Sequence, residues 1–319
     1  MNFSKEPSQS YICSFSLDSM PEWRPNYLTG GMSASLISIS VINLLVSPST
    51  VLLNILVMIA VKTTPRLRNN CNILLASLAG TDLIVGALSQ PLFVADQIYR
   101  LTGNFESHSV CALNFVGGSS AVFCVTASTQ HLAILSIERY IAICYPYKYP
   151  KMVTKRSLGA TVVFAWSAAV FLTGLMVIYT INNTLALVLH RFVVIASISI
   201  LIFCQTAVYR EACIQMRKIK AQQISMEAKQ TFLKEKKALG TTTIVIGVLL
   251  FSYVPLIVFR LVLNPLLSSP VVEFALEAAF RSLVFCNSVC NPLIYCVRNS
   301  EFRRAFKRQL SKQNQIQPD

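Results

Sequence analysis

Three sets of polar residues stand inside otherwise apolar stretches of this chain, and their types define what chemistry is available. The run SIERYIAICYP (136–146) places Glu138, Arg139 and Tyr140 at the end of a long apolar block, so an acid and a base can pair there. Asp82, Ser128, Asn287 and Asn291 lie in the middle of three such blocks. An ionised carboxylate in those surroundings needs a cation or several hydrogen-bond donors. Glu277 precedes Arg281 by four residues, the favourable order for an ion pair along a helix. This is the chemistry of charge pairing and ion binding. No phosphate loop, metal-ligand cluster, Ser–His pair or facing Asp pair is present, and the three His are scattered. No catalytic residue, enzyme activity or cofactor is therefore expected.

The elements that must carry these groups follow from composition. Of 319 residues, 54% are hydrophobic and only 13% are charged, about half the charge of an ordinary soluble chain. The segment 33–61 has no charged residue in 29 positions, and a helix needs roughly 20 apolar residues to cross a bilayer. Seven such blocks occur, at about 36–61, 70–96, 109–142, 157–180, 192–216, 236–262 and 271–297. Backbone groups in lipid must be paired within the segment, so all seven should be helices. The expected fold class is an all-α membrane protein, a seven-helix bundle spanning 36–297. An N-terminal region (1–35), without a cleaved signal peptide, precedes it and a short tail (298–319) follows.

Lys and Arg orient the bundle. The segments after blocks one, three, five and seven, with Arg139, hold 22 of the 28 basic residues. The N-terminus is then expected outside and the C-terminus in the cytoplasm. The net charge of +14 faces anionic membrane lipid and a cytosolic partner, and needs no nucleic acid. The Cys are mostly intramembrane or cytoplasmic; only Cys13 and Cys111 should lie outside. Asn2 and Asn182 head glycosylation triplets, a pattern that also arises by chance.

Taken in order, the intramembrane polar residues carry a resemblance. Asn54, LAGTD ending at Asp82, Glu138-Arg139-Tyr140, Trp166, Pro255 and NPLIY (291–295) follow one another through successive blocks, and RNSEFRRAFKRQL (298–310) reads as an amphipathic helix eight. The pattern resembles a rhodopsin-like (class A) G-protein-coupled receptor over about residues 36–310. The resemblance implies a plasma-membrane receptor that activates heterotrimeric G proteins. It also implies an allosteric sodium site with Asp82 as charged ligand beside Ser128, Asn287 and Asn291. A hydrogen-bonded interhelical network without an ion is the other reading of those residues.

Arg139 would act as a latch. Glu138 is a local partner, and Glu235 lies 20 residues before Pro255, about 30 Å along helix six, at the depth of Arg139. In the family such an acid holds the Arg until helix six swings out; an ordinary surface ion pair is the plainer reading. Pro292 is expected to break helix seven and let Tyr295 swing, and Pro255 to hinge helix six. Both could equally be passive kinks. Tyr209 is expected to join Tyr295 near Arg139 in the active state. The basic stretch 210–237 reads as inner-leaflet anchoring and as a docking face for the G protein. Ser225 and Thr231 there could be modified, whereas the tail SKQNQIQPD has one Ser and no Cys.

Departures from the family pattern bear on the ligand. The usual disulfide from helix three is missing: its position holds Asn114, and the short outer loop at 181–191 has no Cys. Cys111 could pair with Cys13 instead, or both could be free thiols. Helix five lacks the usual Pro, and Tyr253 replaces the usual Trp before Pro255. These features resemble the melanocortin-like and lipid-like receptor cluster, with adenosine receptors nearby. Amine receptors place an Asp where this chain has Ala121, and opsins a Lys where it has Phe285. A ligand that is neither amine nor retinal is expected: a lipid, a peptide or a nucleoside-like small molecule. Its pocket should be lined by Ala121, Val122, Val125, Thr126, Tyr253, Glu277, Arg281 and Phe285. Arg281, about 16 Å above Pro292, would take an anionic group, with Asp96 and Glu273 near the rim, or would simply satisfy Glu277. Two rivals are a decoy or scaffold that binds ligand without coupling, and a transporter, which would show repeats.

Overall fold

The computed structural model describes residues 30–102, 108–179, 184–221, 226–263, 267 and 270–313; some side chains within them, including 221–239, lie outside the description. Seven helices are long and apolar enough to cross a membrane, as the blocks indicate. The first is Gly30–Thr63. The second comprises Asn70–Ile84, a π-turn at Val85–Ser89 and Gln90–Leu101. The third is His108–Cys144, the fourth Lys155–Tyr179 and the fifth Thr184–Ala221. The sixth is Met226–Val258, extended by a π-turn at Phe259–Leu263, and the seventh Pro270–Arg298. Ser300–Gln313 is the expected amphipathic helix. Phe302, Ala305 and Phe306 are its buried face, at the i, i+3, i+4 spacing of a helical stripe.

Local chemistry sets the helix ends. Arg68 reaches back to the carbonyl of Lys62, closing the C-terminus of the first span. Asn69 caps the second, its side chain accepting from Asn72 N at 2.8 Å. Thr154 and Ser157 cap the fourth reciprocally, at 3.0 and 3.1 Å, each satisfying an N–H the helix leaves unpaired. Large apolar side chains such as Leu45, Phe164, Phe203 and Phe251 point outward, where lipid replaces water as solvent.

Three findings differ from expectation. Pro292 does not break the seventh helix, which runs unbroken through it to Arg298; the Ser288 carbonyl that loses its N–H donor to Pro292 accepts from Asn54 Nδ2 instead. The second outer loop does not extend over 181–191, because the fifth helix already begins at Thr184. The π-turn before Pro91 was not foreseen. A proline ring clashes with the carbonyl four residues earlier, and one wider turn relieves the clash. The first span exploits that turn: Ser47 Oγ donates to the Gly86 carbonyl at 2.7 Å. A Cβ on Gly86 would lie 3.0 Å from Thr50, so glycine is what lets the two helices meet.

Candidate functional site

Polar groups form a column from the middle of the bundle to its basic end. Asn291 Nδ2 donates to Asp82 Oδ2 at 2.8 Å. Ser128 pairs with Thr81 at 3.0 Å. Asn54 Nδ2 donates to the Ser288 carbonyl at 3.1 Å and so ties the first span to the seventh. Asp82, Ser128, Asn287 and Asn291 are all buried, and the Oδ1 atoms of Asn54, Asn287 and Asn291 have no hydrogen-bond partner. A carboxylate beside buried, unsatisfied amide oxygens is a donor set that suits a monovalent cation or water. Of the expected residues, Asn291 meets Asp82 directly, Ser128 pairs with Thr81, and Asn287 is buried with its Oδ1 unpartnered.

Arg139 has a partner in hand. Arg139 Nη2 donates to Glu138 Oε1 at 2.6 Å, and the two side chains are only 6% and 3% exposed. Tyr149, in a one-turn helix after the third span (Tyr149–Met152), donates to the same oxygen at 2.5 Å. Asn70 Nδ2 in turn reaches Tyr149 at 3.3 Å and the Val153 carbonyl at 3.1 Å. Burial and the Glu138 carboxylate both hold the Tyr149 phenol above its ordinary range. Glu235 lies on the sixth helix, but its side chain is outside the described residues. Tyr140 packs with Ile143, Val208 and Ala212. Tyr295 is buried against Phe302, ring centroids 5.7 Å apart. Tyr209 does not join it here: it is 67% exposed on the outside of the fifth helix. A cavity of about 540 Å³, lined by Arg139, Tyr149, Thr242, Tyr295, Arg298 and Phe302, opens at this end.

The opposite end holds a smaller cavity of about 180 Å³. Ala121, Val122, Val125, Tyr253, Arg281 and Phe285 line it, as expected. Thr126 does not: it is fully buried and donates to the Val122 carbonyl at 2.8 Å, its turn of the helix facing the bundle core. Glu277 is not on the wall either, but pairs with two residues that are, Arg281 at 2.9 Å and Arg260 at 2.8 Å. Asp96 is buried rather than on the rim, while Glu273 lies in the first turn of the seventh helix. Sequence reasoning missed Met176, Val194, Ile195 and Arg260, which the fourth, fifth and sixth helices bring to the wall.

A second unforeseen feature sits between the two ends. Trp166 Nε1 donates to Ser77 Oγ at 3.0 Å, and Ser77 pairs with His131 Nε2 at 2.8 Å. His131 Nδ1 lies 2.7 Å from the Ala127 carbonyl. The carbonyl fixes the proton on Nδ1 and leaves Nε2 to accept from Ser77. The trio joins the second, third and fourth spans; Trp166 was singled out in the sequence, but nothing there linked it to Ser77 or His131. Among the described residues, no group of three or more His, Cys, Asp or Glu could hold a metal ion. Cys13, Cys111, Asn2 and Asn182 lie outside the described residues or have side chains that do.

Comparison with known proteins bears on this arrangement. The chain is 28% identical over 291 residues to the histamine H2 receptor of Rattus norvegicus, covering 85% of this chain and 78% of that one. It is 26% identical to the 5-hydroxytryptamine receptor 1D of Rattus norvegicus, covering 92% and 93%. It is 27% identical to the D(1C) dopamine receptor of Xenopus laevis, covering 81% of this chain and 64% of that one. All three relatives are receptors rather than enzymes. Their names stand against the expectation of a non-amine ligand and point away from the melanocortin- and lipid-like cluster. The family model for the 7 transmembrane receptor (rhodopsin family) matches residues 53–295. With seven membrane-spanning helices and a polar column in the expected order, the chain belongs to the rhodopsin family of G-protein-coupled receptors.

Proposed function

We propose that this receptor lies in the plasma membrane with its basic end in the cytoplasm, binds an extracellular small molecule in the 180 Å³ cavity, and signals through heterotrimeric G protein at the 540 Å³ cavity. The observation that carries the reading is the position of Arg139. It lines the inner cavity while its guanidinium is engaged by Glu138. The pair belongs to a two-state element, and a ligand shifts such an element by its differential affinity for the two states. Glu235 serves as a second acid for Arg139, supported by its register on the sixth helix. Pro255 is the hinge, and Tyr209 turns inward only in the active state. Sodium, held by Asp82 with Ser128, Asn287 and Asn291, would supply a compensating charge that favours the state described here.

The relatives' names favour a second reading, an amine ligand. An amine bound through the third helix would need a carboxylate there, and the wall has Ala121. That residue supports the non-amine reading. The test is basal G-protein activation in cells at matched surface expression, comparing wild type, Glu235→Ala and Arg139→Ala. The expected result is more signalling from Glu235→Ala and less from Arg139→Ala. Equal and absent signalling from all three across the G-protein families, with a ligand that binds in the next experiment also silent, would favour the decoy.

A further inference from the structure

The wall of the outer cavity is apolar except at one end. Its described charged residues are Arg260 and Arg281, one from the end of the sixth helix and one from the seventh. Both guanidiniums converge on a single oxygen, Glu277 Oε1, at 2.8 and 2.9 Å. Two cations share one anion, so the group carries a net charge of +1 at the mouth of an apolar chamber. All three side chains are also part-exposed: 41% for Arg260, 39% for Arg281 and 26% for Glu277. The guanidiniums are therefore not sealed inside the bundle. The cavity, about 180 Å³, is smaller than the ~300–1,000 Å³ usual for ligand sites. That volume suits one ring or a short chain rather than a long acyl tail.

Building on the ligand cavity of the proposed function, we infer that it binds a compact monoanionic acid whose carboxylate is taken by Arg260 and Arg281, with Glu277 as the internal counter-ion that holds their place. In the unliganded protein Glu277 bridges the outer ends of the sixth and seventh helices. The incoming acid takes over part of that bridge, its body filling the space between Val122, Phe285 and Tyr253. The same cluster disfavours a ligand ammonium, because its three side chains, two cations and one anion, sum to a positive charge. Selectivity against amines then comes from two features: Ala121 supplies no anion, and the arginines supply repulsion.

The test uses three molecules with one body and different charge: 3-phenylpropionate, its amide and 3-phenylpropylamine. Thermal stability of the purified full-length receptor is followed against each, with G-protein activation measured in cells in parallel. The expected result is a saturable rise in Tm with the acid and none with the amide or amine. Arg260→Gln and Arg281→Gln should each weaken the acid roughly 10- to 100-fold, the equivalent of losing a hydrogen bond to a charged group. Arg281→Lys, which keeps the charge, should weaken it less. Glu277→Gln should bind the acid more tightly. A rise with the amine, no rise with the acid, or an acid effect unchanged in both Arg→Gln variants would overturn the inference. Acid binding without G-protein activation would leave it standing and count against coupling. Raised basal signalling in Glu235→Ala without acid binding would do the reverse.

Discussion

Each end of the bundle holds an arginine paired with a carboxylate, and the two pairs differ in what surrounds them. At the basic end Arg139 and Glu138 are almost wholly buried, and Tyr149 donates to the same carboxylate. At the other end Glu277, Arg260 and Arg281 are part-exposed beside an apolar cavity. Burial strengthens each charge's demand for its partner, so losing one member of a buried pair costs about 3–5 kcal/mol. Exposed pairs contribute about 0–1 kcal/mol because water and salt screen them. The inner pair is a fastening; the outer cluster is exchangeable, which is what a ligand site requires.

Substitutions can break or sharpen this contrast. The largest effect is expected from Glu138→Ala, which removes the carboxylate that accepts from both Arg139 and Tyr149. Its Tm should fall and its basal signalling rise, whereas Glu138→Gln, which can still accept from Tyr149, should lose less. Next is Tyr149→Phe, which deletes one charge-assisted hydrogen bond. About 1.5 kcal/mol is expected, the low end for such bonds because Tyr149 is only part-buried, read from denaturation of the purified receptor.

The same residue predicts a pH effect. The Tyr149 phenol is held above its ordinary range, so the fold favours the protonated form. Its contribution is complete below about pH 10, where unfolded tyrosine titrates, and disappears as pH rises through the raised value. Tyr149→Phe should therefore flatten the alkaline limb of a stability–pH profile and leave the neutral region parallel to wild type.

Trp166→Phe probes the layer between the two ends. It keeps the ring against His131 but loses the N–H to Ser77, a change of about 1 kcal/mol in stability. The smallest effect is expected at the outer cluster. Glu277→Gln should change the Tm of the ligand-free receptor by no more than about 1 kcal/mol equivalent. A loss there as large as that of Glu138→Ala would erase the contrast between the two ends.

Much of the fold was legible in the sequence because lipid imposes a single requirement on long apolar segments. All seven spans were visible in hydropathy, and the polar column was visible because Asp82, Asn287 and Asn291 are costly where they stand. Details set by helix rotation were not. Thr126 and Val125 are neighbours, yet only Val125 reaches the cavity, and that depends on how the third helix is turned against the fifth and sixth. Met176, Val194 and Ile195 are ordinary apolar residues whose role exists only once three helices meet. The π-turn at Val85–Ser89 was implicit in Pro91, but nothing local distinguishes a widened turn from a kink. The start of the fifth helix was misplaced because TLALVLHR is as compatible with a helix as with a loop, and the polar triplet before it drew attention instead.

The length of the sixth helix has a mechanical consequence. Arg260 lies five residues beyond Pro255, while Met226 lies 29 residues before it. At 1.5 Å per residue these arms are about 7.5 Å and about 43 Å. With the pivot proposed above at Pro255, the helix would act as a lever of unequal arms with a displacement gain of about six. On that pivot, a shift of about 1 Å where Arg260 meets Glu277 would become about 6 Å at the far tip, a movement as large as a side chain.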